Sequence, residues 1–257
     1  MTKMNWDESH ALDKLAQLSI KTGVALQPGQ DLLITAPMEA APLVRRLAHH
    51  AYKAGAGLVT PFYTDPEITL VRYQHAAPES FDKTTDWLFE GMAAAFDKNT
   101  ARLAVVGEDP MLLSGQNPEY VGRANQAMSK ASSPLRERIT RFDINWNIIA
   151  WPGLQWAKLV FPQMSDADAQ IALAEAIFNA SRVNTSDPNE AWAVHNKNLR
   201  ARTEWLNKKN FAALHFYGEG TDLTVGLADG HEWMGGASTA RNGVTCNPNI
   251  PSEEVFT

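Results

Sequence analysis

A strand, a helix and a second strand within about thirty residues leave a chain few ways to fold, and residues 31–63 carry that pattern. Leu32-Leu33-Ile34 is a short apolar run introduced by the turn signal Gln27-Pro28-Gly29-Gln30. Leu43, Val44, Leu47, Ala48 and Ala51 then share one face at helical spacing, and Gly55 stands where a helix ends. Leu58 to Tyr63 supplies the second strand. Crossovers of this kind are right-handed and join parallel strands, so the first half is predicted to be an α/β layer structure.

The alternation extends in both directions. An amphipathic helix is predicted over Trp6–Thr22, with Ala11, Leu12, Leu15, Ala16, Leu18 and Ile20 at helical intervals and Gly23 closing it. Downstream come a helix from about Pro78 to Lys98, a strand over Ala101–Gly107 and a helix from Pro118 to about Arg138. A strand over Asn145–Trp151 stops at Pro152-Gly153, and a short helix covers Leu154–Phe161. Ser165 caps the next helix, and Asp187-Pro188-Asn189-Glu190 opens another whose buried stripe is Trp192, Leu199 and Leu206. Beyond Lys209 the composition turns to β, with a hairpin of Phe211–Tyr217 and Leu223–Leu227 about Gly218–Asp222 and a third short strand near Glu232-Trp233. The predicted organisation is an α/β domain over 1–181 with a mainly parallel sheet and flanking helices, a helical connection over 182–210, and an antiparallel β start of a second domain over 211–257.

Charge and composition remove several functions. The net charge is −6 with no basic cluster, which argues against a nucleic-acid partner. A single cysteine, Cys246, excludes an intrachain disulfide and suits a reducing compartment. No apolar run is long enough to span a bilayer, so no membrane partner is expected and the cytoplasm is the predicted location. The histidines at 10, 49, 50, 75, 195, 215 and 231 are not spaced to share a metal on one helical face, and each reads as a hydrogen-bonded structural residue. Gly55-Ala56-Gly57 lacks the third glycine of a dinucleotide fingerprint and precedes a strand instead of a helix, so no helix amino terminus awaits a phosphate. Neither a phosphate-binding GxxxxGK[ST] loop nor a GxSxG nucleophile occurs. Trp146, Trp151 and Trp156 read as core, and Cys246 as a buried thiol.

One paired carboxylate remains, Glu253-Glu254, on a stretch stiffened by Pro248 and Pro251. On an extended backbone adjacent side chains face opposite ways, so at most one of the two serves a given site. Val255-Phe256-Thr257 has the composition of a strand just starting, and the chain reads as the amino-terminal part of a longer protein.

Three stretches together resemble the thermophilic-type metalloaminopeptidases, the aminopeptidase T and aminopeptidase S family. They are Trp151-Pro152-Gly153-Leu154-Gln155-Trp156-Ala157, then Gly220-Thr221-Asp222-Leu223-Thr224-Val225-Gly226-Leu227 with Trp233 before Gly235-Gly236, and Asn249-Ile250-Pro251-Ser252-Glu253-Glu254-Val255-Phe256-Thr257. The resemblance implies metal-dependent hydrolysis of the amino-terminal residue from peptides at a site of two divalent ions, zinc or cobalt. It places a metal-ligand role on Glu253, with Glu254 as the runner-up, makes 211–257 the start of the metal-binding domain, and implies a homodimer. Most of the site is expected to lie outside this chain, so residues 1–257 alone are expected to be inactive. The competing reading is a non-catalytic α/β ligand-binding or dimerisation module.

Overall fold

The structure, a computed structural model, describes residues 10–257. The first turn of the predicted amino-terminal helix, Trp6–Ser9, lies outside the described residues. The helix itself, α1 (His10–Leu18), runs into a π-helical turn over Ser19–Gly23, where Ser19 Oγ donates to Leu15 O at 2.7 Å. Gly23 is there for close approach and not as a cap. A Cβ on it would lie 2.7 Å from Oδ1 of Asn147.

The central unit folds as its pattern demands. β1 (Leu32–Pro37), α2 (Ala41–Lys53) and β2 (Val59–Thr64) form a parallel crossover in which Leu32 pairs with Val59. α3 (Pro66–His75) follows, then α4 (Asp86–Asp97), β3 (Ala101–Val106), α5 (Pro118–Ala131), α6 (Ser133–Thr140) and β4 (Trp146–Ala150). After these come α7 (Leu154–Val160), α8 (Asp166–Ala180) and α9 (Pro188–Lys209). The remaining strands are β5 (Ala213–Gly218), β6 (Thr221–Gly226), β7 (Ser238–Thr239), β8 (Thr245–Cys246) and β9 (Asn249–Ile250). The sheet order is β2-β1-β3-β4-β9, every pair parallel. Two small antiparallel ladders, β5-β6 and β7-β8, stand outside it.

Alternation along β1 places helices on both faces. Leu32 and Ile34 enter the main core with α1, α2 and Trp192, while Leu33 enters a second cluster with Met92 and Phe96 of α4 and with Ile144. Each fully buried aliphatic side chain in these layers contributes about 1.5–3 kcal/mol, so the two faces together hold the sheet.

Three expectations need correction, and one helix, α3, carried no expectation. The helix anticipated from Pro78 to Lys98 is interrupted, because Pro78–Asp82 is a 3₁₀ turn and Arg72 takes the carbonyls of Ser80 and Lys83 before α4 starts. The helix anticipated from Pro118 breaks at Ser132, since Pro134 has no N–H to continue the ladder. α3 was missed because no residue of it is buried, although Asp65-Pro66-Glu67 is a start signal and the Asp65 side chain accepts from Glu67 N. No strand forms at Glu232-Trp233; Asn207 of α9 pins Trp233 instead, accepting from its N at 2.7 Å and donating to its O at 3.0 Å.

The hairpin forms as expected, with Leu214 opposite Val225 and Phe216 opposite Leu223. Segment 211–257 nevertheless does not stand wholly apart from the first layer. β9 returns to the parallel sheet, where Ile148 N donates to Pro248 O at 2.7 Å and Ile149 pairs with Ile250. Buried amides make the joint. Asn147 Nδ2 donates to Asn247 O at 2.7 Å, and Asn247 donates from its N to Gly23 O at 2.8 Å and from Nδ2 to Thr22 O at 3.0 Å.

Candidate functional site

β9 runs parallel to β4, so the residues after it, Pro251 to Glu254, emerge at the carboxyl edge of the sheet. In open α/β sheets that edge is where ligands bind. Two helices meet the emerging segment there. Arg182 follows the end of α8 and holds a left-handed backbone at φ 61°. Its Nη1 donates to Glu253 Oε1 at 2.6 Å and its Nη2 to Oε2 at 3.0 Å, a fork on a fork. The same Nη2 donates to His195 Nδ1 at 3.1 Å. His195 Nε2 faces the carbonyl of Ser252 at 2.7 Å, and a carbonyl only accepts, so the ring hydrogen sits on Nε2 and Nδ1 offers its lone pair to Arg182. Beneath the guanidinium lies the ring of Trp192, 5.3 Å away, fully buried and tied through Nε1 to Ser181 O at 2.8 Å.

The hydrogen bonds from Arg182, helped by its charge, outweigh partial burial and hold the Glu253 carboxyl below the ordinary glutamate range. Glu253 is therefore an anion with an outward side, its side chain 59% exposed. Glu254 turns one oxygen back to accept from Glu253 N at 3.0 Å. Phe256 and Met234 exchange backbone hydrogen bonds at 2.8 and 2.7 Å, so the start of a strand anticipated at Val255-Phe256-Thr257 is a single antiparallel bridge.

Among the described residues no three His, Cys, Asp or Glu side chains come close enough to hold a metal ion. The donor set therefore fits one ligand and not a centre. A carboxylate has about four acceptor positions, of which the Arg182 fork takes two on Glu253, and His195 Nε2 stands 3.7 Å from Oε2. Of the histidines, His50 bonds Asp13 at 2.9 Å, His215 bonds Asp222 at 2.7 Å and His231 bonds Ala228 O at 2.9 Å, as structural residues do. Cys246 is buried, and burial pushes its thiol up to about 11.

A second pair of carboxylates escaped the sequence reading. The strand order reverses between β1 and β3, and Glu39 follows the first of these strands while Glu108 follows the second. Thr64 Oγ1 donates to Glu108 Oε1 at 2.8 Å. Burial, and then the charge of Glu108, raise the Glu39 carboxyl. The available signal was positional: each glutamate lies just past the carboxyl end of a strand. Gly153 lets the chain cross here, since a Cβ on it would overlap the Gly107 carbonyl oxygen and lie 2.9 Å from Glu39 Oε1.

Comparison with known proteins places this geometry in context. Aminopeptidase T of Thermus thermophilus is 49% identical over 246 residues, covering 96% of this chain and 60% of that protein. Aminopeptidase 2 of Geobacillus stearothermophilus is 38% identical over 252 residues, covering 98% and 60% respectively. The solved structure of wild-type AmpT from Thermus thermophilus superposes with a TM-score of 0.90 at 47% identity, over 95% of this chain and 60% of that one. The chain thus spans 60% of the length of these relatives. No helix among the described residues is long and apolar enough to cross a membrane. The family model described as thermophilic metalloprotease (M29) matches residues 8–257, and the chain belongs to that family.

Proposed function

We propose that this protein is a metal-dependent aminopeptidase that removes the amino-terminal residue from peptides, with Glu253 as the one ligand that the described residues supply to a site of two divalent ions. The observation that carries the reading is the family match itself, which runs through Asn249–Thr257 and so includes the carboxylate at the sheet's carboxyl edge. The relatives' names, aminopeptidase T and aminopeptidase 2, support peptides as the substrate class. Zinc or cobalt suits a carboxylate-bearing hydrolytic site. Such ions, when bound, would lower the pKa of a water, polarise the scissile carbonyl and receive the free α-amine. The chain's own contribution is positional. β9 delivers Ser252-Glu253 to the sheet edge, and Arg182 and His195 hold them there.

The protein works, in this reading, as a cytoplasmic homodimer. The one cysteine of residues 1–257, which is buried, supports a reducing compartment, and the dimer rests on family resemblance. The hairpin of β5 and β6 starts the metal-binding part, after an α/β domain over 1–181 and the helical connection over 182–210. In an assay of leucyl-p-nitroanilide hydrolysis, the full-length protein supplied with Zn²⁺ or Co²⁺ is expected to turn over, a chelator to abolish turnover, and Glu253→Gln to lose most of it. Residues 1–257 alone are expected to show none. Chelator-resistant hydrolysis, or full activity in Glu253→Gln, would overturn the proposal.

A further inference from the structure

An exposed ion pair needs nothing behind it, yet the one at Glu253 is built from the core outward. Trp192 is fully buried and fixed by its bond to Ser181 O. The Arg182 guanidinium lies over that ring and is steadied by Nη1 donating to Ala180 O at 3.1 Å and Nη2 donating to His195 Nδ1. To reach this place Arg182 takes a left-handed backbone, which a residue with a Cβ avoids unless its surroundings demand it. His195 meanwhile holds the neighbouring Ser252 carbonyl, so the main chain and the side chain of the same segment are gripped from one side. Strain in the backbone, a stacked buried ring and a histidine tautomer set by its partners all converge on the orientation of one carboxylate.

We propose that Arg182 is a positioning residue for Glu253: its fork fixes the carboxylate so that the remaining acceptor positions face the ion, while Trp192 and His195 hold the fork in plane. The inference rests on the reading of Glu253 as a metal ligand. Outer-shell partners of this kind orient ligands, and arginine does so with a rigid bidentate geometry that lysine lacks. The charge of Arg182 by itself would repel a divalent cation, so the orienting effect and the electrostatic effect have opposite signs. The two can therefore be separated.

Co²⁺ titration of the full-length apoprotein, followed by visible absorption, reads affinity and ligand geometry without reference to turnover. Arg182→Met and Arg182→Lys are each expected to weaken Co²⁺ binding by about 10–100-fold and to alter the band shape. In a Glu253→Gln background, Arg182→Met is expected to add nothing further. Thermal unfolding of the metal-free variants separates loss of fold from loss of orientation, and Arg182→Lys preserves the charge if Arg182→Met proves unstable. Unchanged or tighter binding in Arg182→Met, or wild-type binding in Arg182→Lys, would overturn the positioning role. If Glu253→Gln itself leaves affinity and spectrum unchanged, the metal-ligand reading fails instead, which is a different result.

Discussion

Trp192 joins the hydrophobic core to the candidate site, and Trp192→Phe tests that link. The indole is fully buried, its Nε1 donates to Ser181 O at 2.8 Å, and its ring meets His195 edge-on with centroids 5.3 Å apart. Phenylalanine keeps one aromatic ring but leaves roughly 40 Å³ empty, and at about 24 cal/mol per Å³ of cavity that costs about 1 kcal/mol. The carbonyl of Ser181, a residue with no exposed surface, loses its donor, adding about 1–3 kcal/mol. The sum is about 2–4 kcal/mol, and at about 2–4 °C per kcal/mol for a chain of this size the melting temperature falls by roughly 4–16 °C. Trp205 provides the control. It is 55% exposed and meets Phe211 and Lys209 at the surface, so Trp205→Phe is expected to stay within about 0.5 kcal/mol. Urea unfolding followed by far-ultraviolet circular dichroism measures both. An unchanged m-value with a loss below about 1 kcal/mol in Trp192→Phe, or equal losses in both variants, would refute the reasoning.

Three further outcomes follow from the same packing and charge. Gly153→Ala drives a methyl into the Gly107 carbonyl and is expected to cost more than about 4 kcal/mol, whereas Gly122→Ala, in open space on α5, is expected to stabilise by about 0.5–1 kcal/mol; chemical denaturation distinguishes them. The Glu253 carboxyl is held below its unfolded value, so its contribution to stability is complete above the ordinary glutamate range and disappears as pH falls through the folded value. Arg182→Met should therefore flatten the acid limb of a stability-versus-pH curve, and an unaltered limb would contradict the assignment. Asp82 and Asp97 act with the same sign through Arg123 and Arg138, and these pairs are untouched in that variant. Cys246, with its thiol pushed up to about 11, should resist iodoacetamide at neutral pH in the native protein and react once unfolded; prompt native alkylation would refute its burial.

The elements that sequence made legible were those whose local chemistry and burial agree. The crossover over 31–63, the Ser165 and Asp187 caps and the β5-β6 hairpin appear where their patterns placed them. α3 was passed over because it buries nothing, and hydrophobic periodicity reads burial and not helicity. Helix breaks were missed where one proline or one arginine from another element diverts a few backbone groups. At the site, Glu253 was singled out by resemblance and stands at the sheet edge, while Arg182 and His195 carried no local mark.

What the chain determined by itself was its layer class and the succession of strands and helices, because periodicity and capping act between residues a few positions apart. Tertiary structure alone decided that Asn249–Ile250 closes the parallel sheet beside β4, and that a guanidinium 71 positions upstream meets Glu253. Such pairings depend on buried amides and on a ring stacked beneath a charge. Their partners become neighbours only after the layers have packed, so no local window of sequence contains both halves of the contact.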